Sequence, residues 1–193
     1  MKYDQILKND NINYAIIKGN NKIVFIKSGL GTDNAERKDK YVIMAGQLKE
    51  KYGCSVIISS NPNDKRSHAE SDKQVIKNYV LENDFFSPVF LFFGNSNGCI
   101  KGLELASDFI TFKKMILVNM PLMINFHKTL GYISKIPQTD IVSIYGNLDP
   151  SFSYIPFFEG KFPNVTTLKI PNADHNFKGM TDEFISLSDL LMN

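Results

Sequence analysis

The sequence predicts an α/β domain in which a mostly parallel central sheet of about seven strands is flanked by helices. Three observations carry that expectation. Short runs rich in β-branched and aromatic residues recur along the whole chain. Some of them, such as Val56-Ile57-Ile58 and Val89-Phe90-Leu91-Phe92-Phe93, are continuously apolar, as strands covered on both faces must be. From the second run onward the intervals are long enough to hold crossover helices.

The first two strands are expected at Ile12 to Ile17 and Lys22 to Lys27. The turn-forming cluster Lys18-Gly19-Asn20-Asn21 between them suits an antiparallel hairpin. Between Ala35 and Tyr52, the residues Tyr41, Ala45, Leu48 and Tyr52 share one face at helical spacing, and Gly53 stands where a left-handed C-terminal residue is wanted. A strand follows at Ser55 to Ser60. Ser67-His68-Ala69-Glu70 has the spacing of a capping box and opens a helix through Val75, Ile76, Tyr79 and Val80. The strand Pro88 to Phe93 leads into a helix after Asn97 that buries Ile100, Leu103, Ala106 and either Phe109 or Ile110. Strands at Met115 to Asn119, Asp140 to Gly146 and Val165 to Ile170 complete the sheet. The last helix begins near Thr181, with Asp182 and Glu183 at its positive end, and runs through Phe184, Leu187 and Leu191. No repeat, low-complexity stretch or linker divides the chain, so residues 1–193 read as one domain.

Composition narrows the function classes. At 193 residues, 43% hydrophobic and 22% charged, the chain is a globular protein with room for one core. Lys and Arg number 22 against 20 Asp and Glu, and a net charge of +2 is too small for general attraction to nucleic acid or anionic membrane. Arg37 and Arg66 are the only arginines, so bidentate reading of phosphates or base edges has few side chains to use. Cys54 and Cys99 form no C-x-x-C pair and no disulfide framework, and neither His68 nor His127 has a partner at metal-binding spacing. With no uninterrupted apolar h-region at the N-terminus and no span of bilayer length, a cytoplasmic protein is expected. The expected partner is a small-molecule substrate, with no nucleic acid and no membrane; oligomeric state is left open.

The sharpest signal is Gly94-Asn95-Ser96-Asn97-Gly98, directly after an apolar strand and directly before a helical pattern. That is the context of a nucleophile elbow. A serine at the tip of such a tight turn exposes its hydroxyl, small residues two positions either side let strand and helix approach, and the helix N-terminus favours a developing oxyanion. A serine hydroxyl is a weak nucleophile and needs a base, which itself needs an orienting acid. Asp149 and His175 each lie just past a strand, and the order Ser96, Asp149, His175 is the one an elbow serine calls for.

On these residues the chain resembles the α/β-hydrolase superfamily, specifically its small single-domain serine hydrolases, over nearly its whole length. The resemblance implies an α/β-hydrolase fold with a minimal cap, Ser96 as nucleophile, Asp149 as the orienting acid and His175 as general base. It also implies an oxyanion hole made of the Asn97 amide and the Leu30 amide of the loop Ser28-Gly29-Leu30-Gly31-Thr32. Ser28 stands where many relatives carry histidine, and Asn97 where histidine, methionine or glutamine is frequent. The cap of larger relatives would be inserted after the strand ending at Asn119. Residues 120–138 leave room only for a short cap-like segment, whose Met120, Met123 and Phe126 are candidate pocket residues, although packing on the sheet is the competing role for most of its apolar side chains.

Each assignment has an ordinary competitor. Asp149 precedes Pro150, as turn-starting Asx residues commonly do. His175 competes with a plain surface histidine, and Asp174 is a rival acid whose adjacency to His175 makes the bond awkward. Cys99 reads as a small buried residue of the helix behind Ser96. Gly29-Leu30-Gly31 also follows a strand, but Asn34 replaces the third glycine of a dinucleotide loop and the next strand ends Ile58-Ser59-Ser60-Asn61 without a ribose-binding acid. No cofactor and no metal is therefore expected. The predicted activity is hydrolysis of a small ester, thioester or related carboxylic-acid derivative, of carboxylesterase or thioesterase type. The alternative is a non-catalytic protein of the same fold that binds a small molecule or a protein partner.

Overall fold

In the computed structural model, which describes residues 3–31, 40–64 and 66–193, one eight-stranded sheet organises the chain. Its strands are β1 (Gln5–Asn9), β2 (Ile12–Ile17), β3 (Asn20–Lys27), β4 (Cys54–Ser59), β5 (Val89–Asn95), β6 (Lys114–Val118), β7 (Asp140–Gly146) and β8 (Val165–Ile170), in the spatial order β1-β2-β4-β3-β5-β6-β7-β8. β1–β2 and β2–β4 pair antiparallel and every later neighbour is parallel. The helices are α1 (Lys40–Tyr52), α2 (Ala69–Glu82), α3 (Asn97–Asp108), α4 (Leu122–Ile133), α5 (Ile155–Phe158) and α6 (Thr181–Ser186), with 3-10 turns at Pro150–Tyr154 and Leu187–Leu191.

The sheet buries both faces, and β3 shows how. Ile23 and Phe25 join Ile57, Phe92, Leu103 and Phe112 on the side of α2, α3 and α4, whereas Val24 and Ile26 join Ile58, Phe93, Leu48 and Phe184 on the side of α1 and α6. Successive residues of a strand point to opposite faces, so a strand covered on both sides must be apolar throughout. That is why the continuous runs of β4 and β5 read correctly as interior strands.

The expected hairpin between residues 12–17 and 22–27 does not form. β2 folds back instead on β1, through a two-residue turn in which Asp10 adopts φ 53°. β1 pairs along one edge only and alternates half-buried and exposed residues, with Ile6 61% exposed, so its sequence carries little apolar signal. β3, buried from Ile23 to Lys27, needs a neighbour on each side and finds them in β4 and β5. Lys18 and Gly19 therefore carry the chain across the end of β4, where Gly19 donates to Ser55 Oγ at 3.1 Å and Asn20 to the Gly53 carbonyl at 2.7 Å.

The helices follow their sequence signals with local differences. In α1 the predicted face is buried at Tyr41, Ala45 and Leu48, and Gly53 closes the helix at φ 68° by donating to the Lys49 carbonyl; residues 35–39 of the predicted segment lie outside the described residues. No capping box forms at Ser67, because α2 starts at Ala69 and the hydroxyl accepts only the Ala69 amide, at 3.3 Å. Ile110, and not Phe109, is the buried residue past the end of α3. α6 continues into the 3-10 turn that buries Leu187 and Leu191.

Beneath the carboxyl end of β3 lies a charge pair that sequence spacing does not reveal. Lys27, fully buried, places Nζ 3.0 Å from Asp72 Oδ2 and 2.8 Å from Ser59 Oγ, while the Tyr14 and Ser59 hydroxyls donate to Asp72 Oδ1 at 2.9 and 3.0 Å. Burial pushes the Lys27 ammonium below its usual pKa, and the adjacent carboxylate opposes that shift. Removing one partner leaves the other charge buried and unpaired. Lys27→Met is expected to cost about 3–5 kcal/mol, read as a lowered urea midpoint, whereas replacing both partners with apolar residues costs much less. An unchanged urea midpoint in Lys27→Met would show that the buried pair contributes nothing to stability.

Candidate active site

The carboxyl ends of the parallel strands converge on Ser96. In open α/β sheets this is the edge at which ligands bind. β5 ends at Asn95 and α3 begins at Asn97, so a single residue turns the chain. Ser96 does so at φ 52°, ψ −127°, a conformation L residues rarely adopt and one held here by its surroundings. Its amide donates to the Val118 carbonyl at 2.8 Å, and its carbonyl accepts from Cys99 at 3.0 Å. The two glycines of the elbow have separate reasons. A Cβ on Gly98 would lie 2.3 Å from the Lys27 carbonyl oxygen and 2.4 Å from that of Ser28, so glycine is what lets α3 seat against the end of β3. A Cβ on Gly94 would come within 3.1 Å of the Cys99 backbone and 2.6 Å of the Phe92 ring.

Ser96, His175 and Asp149 form one hydrogen-bonded chain. His175 Nε2 lies 2.8 Å from Ser96 Oγ, and Nδ1 lies 2.5 Å from Asp149 Oδ2. The Asp149 side chain is fully buried, and its other oxygen accepts the Ser151 amide at 2.7 Å, capping the 3-10 turn that Pro150 opens. Its turn-starting role and its bond to the imidazole thus use different oxygens. The imidazole is 38% exposed on its outer side, open to an incoming molecule. Asp174 does not compete for it. That carboxylate turns its own loop by accepting the Asn176 and Lys178 amides, both at 2.9 Å, and bonds of this kind, that from Lys178 foremost, hold it below the usual carboxylate range. Cys99 is buried behind the elbow, where burial pushes its thiol up and its sulfur contacts the Val118 carbonyl at 3.4 Å.

The Leu30 and Asn97 amides take no acceptor among the described residues. A depression of about 540 Å³ in front of Ser96 is bordered by Gly29, Leu30, Asn95, His175 and Asn176. Met123 and Phe126 line a larger trough between α4 and α5, together with Tyr154 and Phe157, whereas Met120 is fully buried in the core beneath. Thr32 of the predicted oxyanion loop lies outside the described residues.

Two asparagines that sequence reading missed hold this arrangement. Asn61, just past β4 and fully buried, donates from Nδ2 to the Ser28 carbonyl at 3.0 Å and to Asn97 Oδ1 at 3.2 Å, and its backbone carbonyl accepts the Gly31 amide at 2.7 Å. It ties the loop carrying the Leu30 amide to the residue carrying the other, the anchoring a loop without the frequent histidine has to find elsewhere. Asn119, past β6 at φ 48°, accepts the Gly146 amide at 2.9 Å and donates to the Asp174 and His175 carbonyls, both at 3.0 Å. It fixes the histidine loop to the end of the strand that leads to Asp149. Asparagine in a loop reads as turn chemistry, so neither residue stands out from its neighbours in the sequence.

The strand order with its antiparallel start, the turn at Ser96 and the loops after β7 and β8 together specify one architecture. The chain has the α/β-hydrolase fold. No protein-family model matches it, and no curated protein matches its sequence. Solved structures do. Est1E from Butyrivibrio proteoclasticus superposes with a TM-score of 0.73 at 12% identity, over 99% of this chain and 98% of that one. An α/β serine hydrolase homologue from Coxiella burnetii gives 0.67 at 14% identity over 97% of each chain. A member of the α/β serine hydrolases described as without a lid, from Xanthomonas campestris, gives 0.64 at 14% identity over 92% and 87%. At such identities the hydrolase fold is shared while side chains are free to differ, so chemistry has to be argued from the site itself.

Proposed function

We propose that the protein is a serine hydrolase that cleaves a small ester, thioester or related carboxylic-acid derivative through an acyl-enzyme. The observation that carries this reading is the continuous hydrogen-bonded chain from Ser96 through His175 to the buried Asp149. Ser96 Oγ attacks the substrate carbonyl as its proton passes to His175 Nε2, and Asp149 stabilises the imidazolium that forms. The Leu30 and Asn97 amides receive the oxyanion, the leaving group takes the proton from His175, and water then releases the acyl group with His175 again as base. No step calls for a metal or an organic cofactor. The solved structures of like fold include serine hydrolases and a thioesterase domain, which is in keeping with acyl transfer. Residues 120–138, with α4 at their centre, serve as the short cap-like segment of a single hydrolase domain, and an open site of this kind suits small substrates.

The test is active-site labelling. A fluorophosphonate probe is expected to modify the protein at one serine, with the adduct mapped by peptide mass to Ser96 and with loss of 4-nitrophenyl butyrate turnover in step. Absence of both labelling and ester or thioester turnover would favour a non-catalytic binding protein.

Asn61 supplies a second prediction. It positions both proposed oxyanion donors without touching substrate, so Asn61→Ala is expected to lower kcat by roughly one to two orders of magnitude while KM changes little, the pattern of an interaction strengthened in the transition state. A fall in stability with kcat retained would reduce Asn61 to an ordinary structural residue.

A further inference from the structure

Beside the site lies a second depression of about 450 Å³, lined by Leu30, Asp64, Asn97, Lys101 and Lys128 among others. It shares Leu30 with the space in front of Ser96, and Lys128 with the trough between α4 and α5. Asn97, whose amide is one proposed oxyanion donor, is among its lining residues.

Its charges are unevenly matched. Asp64 is already occupied, accepting from His68 Nε2 at 2.8 Å and from Arg66 at 3.0 and 3.3 Å, and these partners hold its pKa down to about 2. Lys101 donates to the Arg66 carbonyl, an uncharged acceptor, at 2.5 Å. Lys128 meets no carboxylate among the described residues; its ammonium lies 5.5 Å from the centre of the Tyr132 ring. Helical side chains lean towards the helix N-terminus, so Lys101, one turn after Asn97 on α3, leans towards that residue. Burial lowers the Lys101 pKa and Lys128 adds repulsion to the same effect, while the Glu104 and Asp64 carboxylates oppose it. Farther along, the trough adds Lys161, while its Glu159 is paired with Lys169 at 3.1 Å. Lys101, Lys128 and Lys161, which make no ion pair among the described residues, therefore gather near the elbow in a chain whose net charge is only +2.

We infer that the substrate carries an anionic group, held between Lys101 and Lys128 beside Asn97. The inference rests on the reading of Ser96 as nucleophile for its place in the reaction, and it deepens that reading from a small acyl compound to an anionic one. An anion there would relieve the repulsion between the two ammonium groups and, through their attraction, set which way the scissile carbonyl enters the oxyanion hole.

Two matched ester pairs test it and locate the charge. Mono-4-nitrophenyl glutarate against 4-nitrophenyl butyrate puts the anion on the acyl side; 4-carboxyphenyl acetate against phenyl acetate puts it on the leaving group. In one pair the anionic member is expected to lead in kcat/KM by roughly tenfold at low ionic strength, and the lead should shrink towards parity near 1 M salt, where the Debye length is about 3 Å. In the Lys101→Gln/Lys128→Gln protein the ratio should fall to about one. Parity or discrimination against the anion in both pairs, or a ratio indifferent to the double substitution, would overturn the proposal.

Binding separates this failure from failure of the hydrolase reading. Ser96→Ala protein, with and without the two lysine substitutions, is titrated with both anionic esters and followed by ligand-observed NMR. Binding that depends on the lysines, with no ester turned over by the wild type, keeps the anion site and removes the hydrolase. Lysine-independent binding, or none, removes the anion site.

Discussion

Ser96→Ala is expected to abolish fluorophosphonate labelling and to lower kcat/KM for 4-nitrophenyl butyrate by roughly a millionfold, the scale seen when a triad nucleophile is deleted. The size follows from the position of the hydroxyl. Ser96 Oγ sits 2.8 Å from His175 Nε2, and with alanine the imidazole has no proton to accept from the chain. What survives is the residual effect of the oxyanion donors and of substrate binding, which acts on water as a poor substitute nucleophile. The fold should be indifferent, because alanine keeps the Cβ that strains the backbone at φ 52° and loses only the hydroxyl bond to the half-exposed imidazole. Circular-dichroism melting checks that half of the expectation. Labelling that persists in the alanine protein would move the nucleophile to another residue and would dissolve the proposed mechanism at its first step.

How much of this site is legible in the sequence depends on the range of the interactions. The elbow is local: its glycines, the apolar strand before it and the helical pattern after it lie within one short window, so Ser96 can be found by reading along the chain. Asp149 and His175 could be named because each follows a strand and their order is restrictive. The resemblance added the roles and the Leu30 and Asn97 amides. Interactions between distant segments were not legible. Asn61 meets Ser28 and Asn97 only after β3, β4 and α3 are assembled, and Lys27 meets Asp72 across 45 positions of sequence. The same limit explains the misplaced hairpin, since Lys18 to Asn21 carries ordinary turn chemistry whether the chain doubles back or crosses to the far side of β4. Net charge is likewise a sum over the chain, and it hides the gathering of Lys101 and Lys128 at one place.

Asp149→Asn isolates the orienting acid without emptying its place. The 3-10 turn still needs an acceptor for the Ser151 amide, and asparagine supplies one with its carbonyl oxygen. Its NH2 group then faces His175 Nδ1 where a carboxylate oxygen stood at 2.5 Å. Donor against donor is unfavourable, so the imidazole adopts the tautomer with Nδ1 bare and the hydrogen on Nε2. That hydrogen points at Ser96 Oγ, and the nitrogen that should take the serine proton no longer can. The expected result is a fall in kcat of roughly 10⁴ with KM little changed, accompanied by slow but detectable fluorophosphonate labelling, since the hydroxyl itself remains. Asp149→Ala removes the cap as well, so its melting temperature should drop where that of Asp149→Asn holds; comparing the two separates the chemical role from the structural one. Turnover within tenfold of the parent in Asp149→Asn would mean that some other group orients His175. Asp174, the nearest in sequence, would have to leave the Asn176 and Lys178 amides it now accepts in order to do so.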